Sequence, residues 1–201
     1  PTRSKKIKAM LAGGLVLGVG ATVTLASWSD QAFVDGVFRT STFGIEARTT
    51  PTAEWQEAET EASAVDLTLE TSLARELQPG ATVYTPLELR TVTGSVAGTV
   101  TLEGAEPVGE AALFEALTYT VVESATCDAT AVAASTDALV PGGAELTQGS
   151  DAGVISVGAN STEPVTLCFA FTLPDTADDP TLQGLDATAQ WRFAAESVEA
   201  A

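Results

Sequence analysis

V-T-L-C-F-A-F-T-L, residues 165–173, is the stretch from which the rest of the chain is read. Val165, Leu167, Phe169, Phe171 and Leu173 recur at every second position, with Thr166, Cys168, Ala170 and Thr172 between them. Successive side chains of a strand point to opposite faces, so the pattern predicts one large apolar face and one small or polar face. Cys168 falls on the second, turned away from the phenylalanines.

Moving outward, the same alternation recurs. Leu185–Phe193 places Leu185, Ala187, Ala189, Trp191 and Phe193 inward as a last strand, after the acidic turn Pro174–Pro180. Upstream, Val65–Glu70 alternates, and Pro79-Gly80 supplies a turn in which proline presets φ and glycine tolerates a positive one. The next run, Ala81–Thr91, puts Val83, Thr85, Leu87 and Leu89 on one face, with Pro86 arguing for an edge strand. Val96–Leu102, Leu117–Glu123 and Phe43–Arg48 read as further strands. Glu110–Ala116 fits a one- to two-turn helix, Thr49–Ser63 a loop or strand pair around Trp55, and Cys127–Gly153 a loop-dominated stretch. Asn160-Ser161-Thr162 marks a surface loop. About eight alternating segments with turn signals between them predict an all-β fold, an antiparallel β-sandwich of jelly-roll type.

The N-terminus has another character. Arg3, Lys5, Lys6 and Lys8 precede an apolar run, Met10–Ala26, of 17 residues whose only polar side chains are Thr22 and Thr24. A spanning helix needs about 20 apolar residues and a signal-peptide core roughly 7–15 after a basic lead. Gly13, Gly14, Gly18 and Gly20 soften the run further, so residues 1–26 read as a signal helix cut between Ala26 and Ser27. The alternative is an uncleaved membrane anchor, which is also the one membrane contact expected. The product would be secreted, to the extracellular matrix or the cell surface.

Export gives the cysteines their meaning. Only two exist, Cys127 and Cys168, and an even count in an exported chain predicts a disulfide. It would tie the loop before the strand across the outer side of the sheet, closing about 40 residues and stabilising by roughly 3–4 kcal/mol in the chain-entropy account. The alternative is two buried free thiols.

All 27 acidic residues follow Ala26, against five of the nine basic ones, so residues 27–201 carry a net charge of −22. Nucleic acid and anionic lipid both need a basic footprint, and both are excluded as partners. The chain has no histidine and no lysine after Lys8. Without histidine there is no Ser-His-Asp triad, no Cys-His pair and no H-E-x-x-H zinc helix. Without lysine there are no Lys–Asn isopeptide links, and E-S-V-E-A-A at the end offers no sorting signal, so any assembly is expected to be non-covalent. No cofactor is expected. Asp175, Asp178 and Asp179 could hold Ca²⁺ through oxygens, although a solvated acidic loop is the plainer and preferred account. Trp28, Trp55 and Trp191 could form a sugar platform, with packing the plainer reading of Trp191.

The basic lead, the Gly/Ala/Val core and Ala26-Ser27-Trp28-Ser29-Asp30 resemble the SipW-type signal peptides of the TasA and camelysin-like exported proteins. The order Leu67-x-Leu69, Leu77-x-Pro79-Gly80, Pro86-Leu87-x-Leu89-Arg90, Gly94-Ser95 and Val96–Leu102 is similar to that family's core. L-D-A-T-A-Q-W-R-F, residues 185–193, resembles its closing element, with the aromatics after A-T-A-Q-W rather than before. The resemblance covers most of residues 1–103 and 164–193, while 104–160 matches nothing in the family. It implies a signal peptidase of SipW type, a sandwich fold and a fibre subunit of the extracellular matrix, in contact with its own copies and with other matrix proteins. The metalloprotease label given to camelysin-like relatives needs ligands this chain lacks.

The segment 27–42 then gains a role. Trp28, Phe33, Val34, Val37 and Phe38 make it partly apolar, and an exported sandwich has strand edges to receive it. The expectation is a donor strand that adds to a neighbour's sheet, head to tail, ahead of the domain at 43–201. The alternatives are a first strand folded back on its own domain, a monomeric secreted adhesin, or an uncharacterised hydrolase using an acid pair.

Overall fold

The computed structural model describes residues 42–57, 77–109, 111–175, 177 and 180–198. The chain divides into two units, Pro1–Arg39 and Thr40–Ala201, and every described residue lies in the second. The signal segment, the cut at Ala26–Ser27, the strand at 65–70 and all of the candidate donor segment except Thr42 fall outside the described residues.

Val165–Thr172 forms β8, the middle strand of a five-stranded sheet in the order β1-β2-β8-β5-β6. Its neighbours are β2 (Thr82–Thr91) and β5 (Thr118–Glu123), both antiparallel to it. The edges are β1 (Ile45–Arg48), on β2, and β6 (Val140–Glu145), on β5. A three-stranded antiparallel sheet orders β10 (Phe193–Ser197), β3 (Gly98–Leu102) and β7 (Ile155–Val157). A third pair joins β4 (Glu106–Val108) to β9 (Thr188–Gln190). Two short helices, α1 (Ala112–Ala116) and α2 (Ala129–Ala134), and a 3₁₀ turn at Pro180–Leu182 complete the secondary structure of the described residues. The fold is all-β.

The alternation in sequence becomes alternation in burial. β2 buries Val83, Thr85, Leu87, Leu89 and Thr91 and leaves the residues between them half-exposed. β3 buries Gly98, Val100 and Leu102. A single hydrophobic cluster draws on both larger sheets, with Leu167, Phe169 and Phe171 from β8, Tyr119 and Val121 from β5, Val100 and Leu102 from β3, and Ile155 and Val157 from β7. Burying a side chain of this size stabilises by about 1.5–3 kcal/mol relative to leaving it in water, which is why this set holds the sheets together. Trp191 lies against Tyr119, Phe169 and Phe171 at centroid distances of 5.8, 5.7 and 5.4 Å, so it is packing, as read from its parity.

Two expectations change and a third is refined. Cys127–Gly153 is mostly loop and turn, as expected, but it also holds α2 and β6. Asp128 caps α2, accepting from the Ala131 amide at 2.8 Å, and β6 hides its strand character behind Val-Pro-Gly-Gly. Leu185–Phe193 is not one strand: β9 ends at Gln190 and β10 starts at Phe193 in another sheet, with Trp191 and Arg192 forming the crossing. The inward parity survives the break, since Ala187, Ala189, Trp191 and Phe193 all pack on the core, while Leu185 is not among the core-packed residues. Finally, Pro86 does not lie on an outermost strand. β2 is second in its sheet, and proline is accommodated because β1 pairs only with Glu88–Thr91 and so ends before it.

Candidate functional site

Assembly through strands needs an open edge, and the edges of this domain differ in how they are closed. β1 is covered on its outer side by Gln56, which exchanges both backbone hydrogen bonds with Ala47 at 2.9 Å. That turn is clamped from above. Glu46 faces Arg90 and Arg48 faces Glu88 across the two strands, forming ion pairs at 2.8 and 2.6 Å. Trp55 stacks over both guanidinium groups, 4.4 Å from Arg48 and 3.9 Å from Arg90. Trp55 is therefore engaged by cations on the sheet rather than presented in common with Trp191. The sequence signal for this ladder is E-A-R on one strand and E-L-R on the next, charges of opposite sign that meet only when the strands run antiparallel.

β6 is blunted. Its register on β5 shifts between Tyr119 and Val121, and Pro141, Gly142 and Gly143 weaken its outer side as a template. β7 has three residues, too few to hold an added strand firmly. β10 is different. Glu103 donates to the Arg192 carbonyl at 2.8 Å and Val198 donates to the Ala97 carbonyl at 3.0 Å. Backbone groups of an antiparallel strand alternate sides, so Arg192, Ala194, Glu196 and Val198 face β3, and Phe193, Ala195 and Ser197 turn their N–H and C=O groups to the open side. Among the described residues no strand pairs there.

The chain enters this domain beside the same sheet. Thr42 makes a parallel bridge to Ser95, with the Val96 amide donating to the Thr42 carbonyl at 3.2 Å. The buried Ser95 hydroxyl accepts from Gly44 N–H at 3.3 Å, and its carbonyl accepts from Asn160 N–H at 2.9 Å. Asn160 Oδ1 takes the Gly94 amide at 2.9 Å. Asn160 and Ser161 adopt left-handed φ of 57° and 58° to make these contacts. Phe43 lies over Gly98, where an added Cβ would come within 2.5 Å of its ring. Sequence reading placed Gly94-Ser95 within the family resemblance and Asn160 in a surface loop but could not see that they fasten the incoming chain, because their partners are 51 to 66 residues away along it.

The other expected site residues are placed as follows. Cys127 and Cys168 form the disulfide. Asp175 lies against the Gly80 turn, with its carboxylate where a Cβ on Gly80 would stand. Asp178 and Asp179 fall outside the described residues, as do Ala26, Ser27, Trp28, Phe33, Val34, Val37 and Phe38. Among the described residues no group of three or more His, Cys, Asp or Glu side chains is placed to hold a metal ion, and no helix is long and apolar enough to cross a membrane. A groove of about 470 Å³ runs between Gly98 and Thr99, Ser156, Glu123 and Glu163, with Val198 at its rim. With no histidine in the chain, its Ser156 hydroxyl has no imidazole to activate it. One titratable group is displaced. Burial pushes the Tyr119 phenol above its ordinary value, partly offset by the nearby Trp191 indole N–H. That N–H meets no acceptor in hydrogen-bond geometry, so the offset is a close approach and not a bond. The Tyr119 hydroxyl instead donates to the Gln148 carbonyl.

No known protein family matches this chain, and no curated protein matches it as a relative.

Proposed function

We propose that this chain is a secreted, non-enzymatic structural subunit, a β-sandwich of jelly-roll type that assembles head to tail into extracellular fibres. The segment beginning at Ser27 leaves its own domain at Thr42 and adds as a strand to the β10 edge of the next copy. The observation that carries this reading is the contrast among edges: β1 is covered, β6 is blunted, β7 is short, and β10 turns three residues' backbone groups outward. Main-chain bonds along such an edge give affinity, and alternate side chains give register. A donor and an acceptor at different places on one molecule form a contact that does not close on itself, and filaments follow. The sequence resemblance to TasA-like fibre proteins and the disulfide of an oxidising compartment support the same reading.

The test uses protein beginning at Ser27, examined by electron microscopy and size exclusion. Deleting Ser27–Val37 removes the donor. Ala195→Pro places a ring on the open edge and removes a donor that β3 does not use, so the domain keeps its sheet while losing its acceptor. Both variants are expected to remain monomeric while the parent forms filaments. Filaments from Ala195→Pro would remove β10 from the proposal, and a strictly monomeric parent would remove assembly altogether.

A further inference from the structure

The outer face of the five-stranded sheet carries a feature that fibre assembly does not use. Cys168 stands there fully buried, between Val122 of β5 and Pro86 of β2, with Ala170 two residues on. Val122, Cys168 and Ala170 are 1%, 0% and 3% exposed, yet none of the three belongs to the main core cluster. They share the face that carries the disulfide to Cys127, in the connection between β5 and β6. That connection, residues 124–139, contains no buried residue of its own.

What fastens it is equally lopsided. The two ends of the lobe are tied to the sheet, Ser124 through its amide to the Thr166 carbonyl at 3.0 Å and Leu139 by packing against the core. Between them the hydrogen bonds among described residues are local: Thr126 with Ser124, Asp128 with Ala131 and Val132, Ser135 with Val132, Thr136 with Asp137. Cys127 Sγ, which carries no hydrogen in the disulfide, comes within 4.0 Å of the Phe169 carbonyl without bonding to it. α2 has six residues and no buried side chain, and a helix of that length does not stand without tertiary support. The bridge from half-buried Cys127 into buried Cys168 is the strongest bond from this lobe to the sheet.

We propose that residues 124–139 form a redox-latched cover. Reducing the Cys127–Cys168 bridge releases the lobe and uncovers the Val122–Cys168–Ala170 strip while both sheets stay folded. The reductant is a dithiol. Its thiolate attacks Cys127 Sγ, the more accessible sulfur, and Cys168 leaves as a thiolate that takes up a proton. The second thiol then resolves the mixed disulfide, giving two cysteine thiols and the oxidised, cyclic dithiol. Reverse exchange with a cyclic disulfide, which is reduced to its dithiol, re-forms the Cys127–Cys168 bond and closes the cover.

The experiment treats the full chain with dithiothreitol in native buffer, confirms a two-hydrogen gain by mass, and follows hydrogen exchange and iodoacetamide labelling. Peptides within 124–139 are expected to exchange at least about tenfold faster after reduction, with β2, β5 and β8 unchanged, since local openings are separable from global ones. Cys168 is expected to alkylate along with Cys127. Cys127→Ala, permanently unlatched, should reproduce the fast-exchanging lobe without reductant. If Cys127 alkylates while Cys168 stays unreactive and the lobe keeps its protection, the lobe is held by its own packing and the latch is refuted. Loss of protection in β8 together with the lobe, or failure of Cys127→Ala to fold, makes the bridge a staple of the whole domain and equally overturns it.

Discussion

The two larger sheets share one core, but they are secured in different ways. The five-stranded sheet is reinforced on its outer face as well: a disulfide lies across β8, and an ion-pair ladder capped by Trp55 spans β1 and β2. The three-stranded sheet has an exposed ion pair beside its crossing and, among the described residues, no strand paired to the outer edge of β10. A sheet closed on both faces resists change, and one with a bare edge is available to a partner. The proposed assembly uses this difference, with one half secured and the other offering the edge.

The largest expected effect lies where the two halves meet. Phe169 is fully buried and touches Tyr119, Phe171 and Trp191. Phe169→Ala should cost roughly 3–5 kcal/mol, the transfer loss plus the cavity left behind, read from the urea midpoint. A cost below about 1 kcal/mol would mean that the sheets do not depend on a shared core.

Tyr119 sharpens the same junction through pH. Its hydroxyl reaches from β5 to the Gln148 carbonyl, in the connection that leads to β7, so one bond ties the two halves. Tyr119→Phe leaves that carbonyl unpaired and should cost about 1–2 kcal/mol. Burial raises the phenol's pKa in the folded state. The stabilisation linked to that shift is therefore full below the unfolded value of about 10 and is lost as pH rises through the folded value, because the unfolded chain releases the proton first. Unfolding at pH 9 and at pH 11 should show a steep alkaline loss in the parent and a shallower one in Tyr119→Phe. Equal slopes would place the titration elsewhere.

The same contrast explains what could be read in advance. β2, β3 and β5 were legible because each has one buried and one less buried face, so period-2 alternation is written into their residues. β8 is buried on both faces and was legible because large apolar residues alternate with small or polar ones along it. The disulfide was expected from an even cysteine count in a chain read as exported, and the parity of Cys168 gave the face it crosses. β6 was not legible, since a strand containing Pro141, Gly142 and Gly143 looks like a turn and exists only because β5 is beside it. The break at Trp191–Arg192 was hidden because parity is preserved across it, and side-chain alternation carries no information about which sheet a strand joins. The β10 edge was missed for a related reason: backbone direction is not encoded by any side chain.

On the reinforced face, Trp55→Ala removes the ring lying over Arg48 and Arg90. Each cation–π contact at a partly exposed site is worth about 0.5–1 kcal/mol, so a loss of roughly 1–2 kcal/mol is expected. Hydrogen exchange should show the loss first at Ala47 and Gln56, whose amides pair beneath the ring. A uniform loss across the sheet would mean that the ladder supports the fold rather than the edge.

Arg192 and Glu103 give the smallest effect and complete the contrast. They pair at 3.0 Å with side chains 77% and 41% exposed, whereas the ladder's side chains are between 14% and 24% exposed. The chemistry is the same in both places, and only the access of water differs. Exposed pairs are screened by water and salt and lose side-chain entropy on forming, so a double-mutant cycle on Arg192 and Glu103 should return less than about 0.5 kcal/mol. The same cycle on Arg90 and Glu46, with Trp55 above them, should return about 1 kcal/mol and fall less between low and high salt. Equal coupling in both cycles would show that the outer face of the larger sheet gains nothing from being covered. The division into a secured half and an available half would then rest on the β10 edge alone.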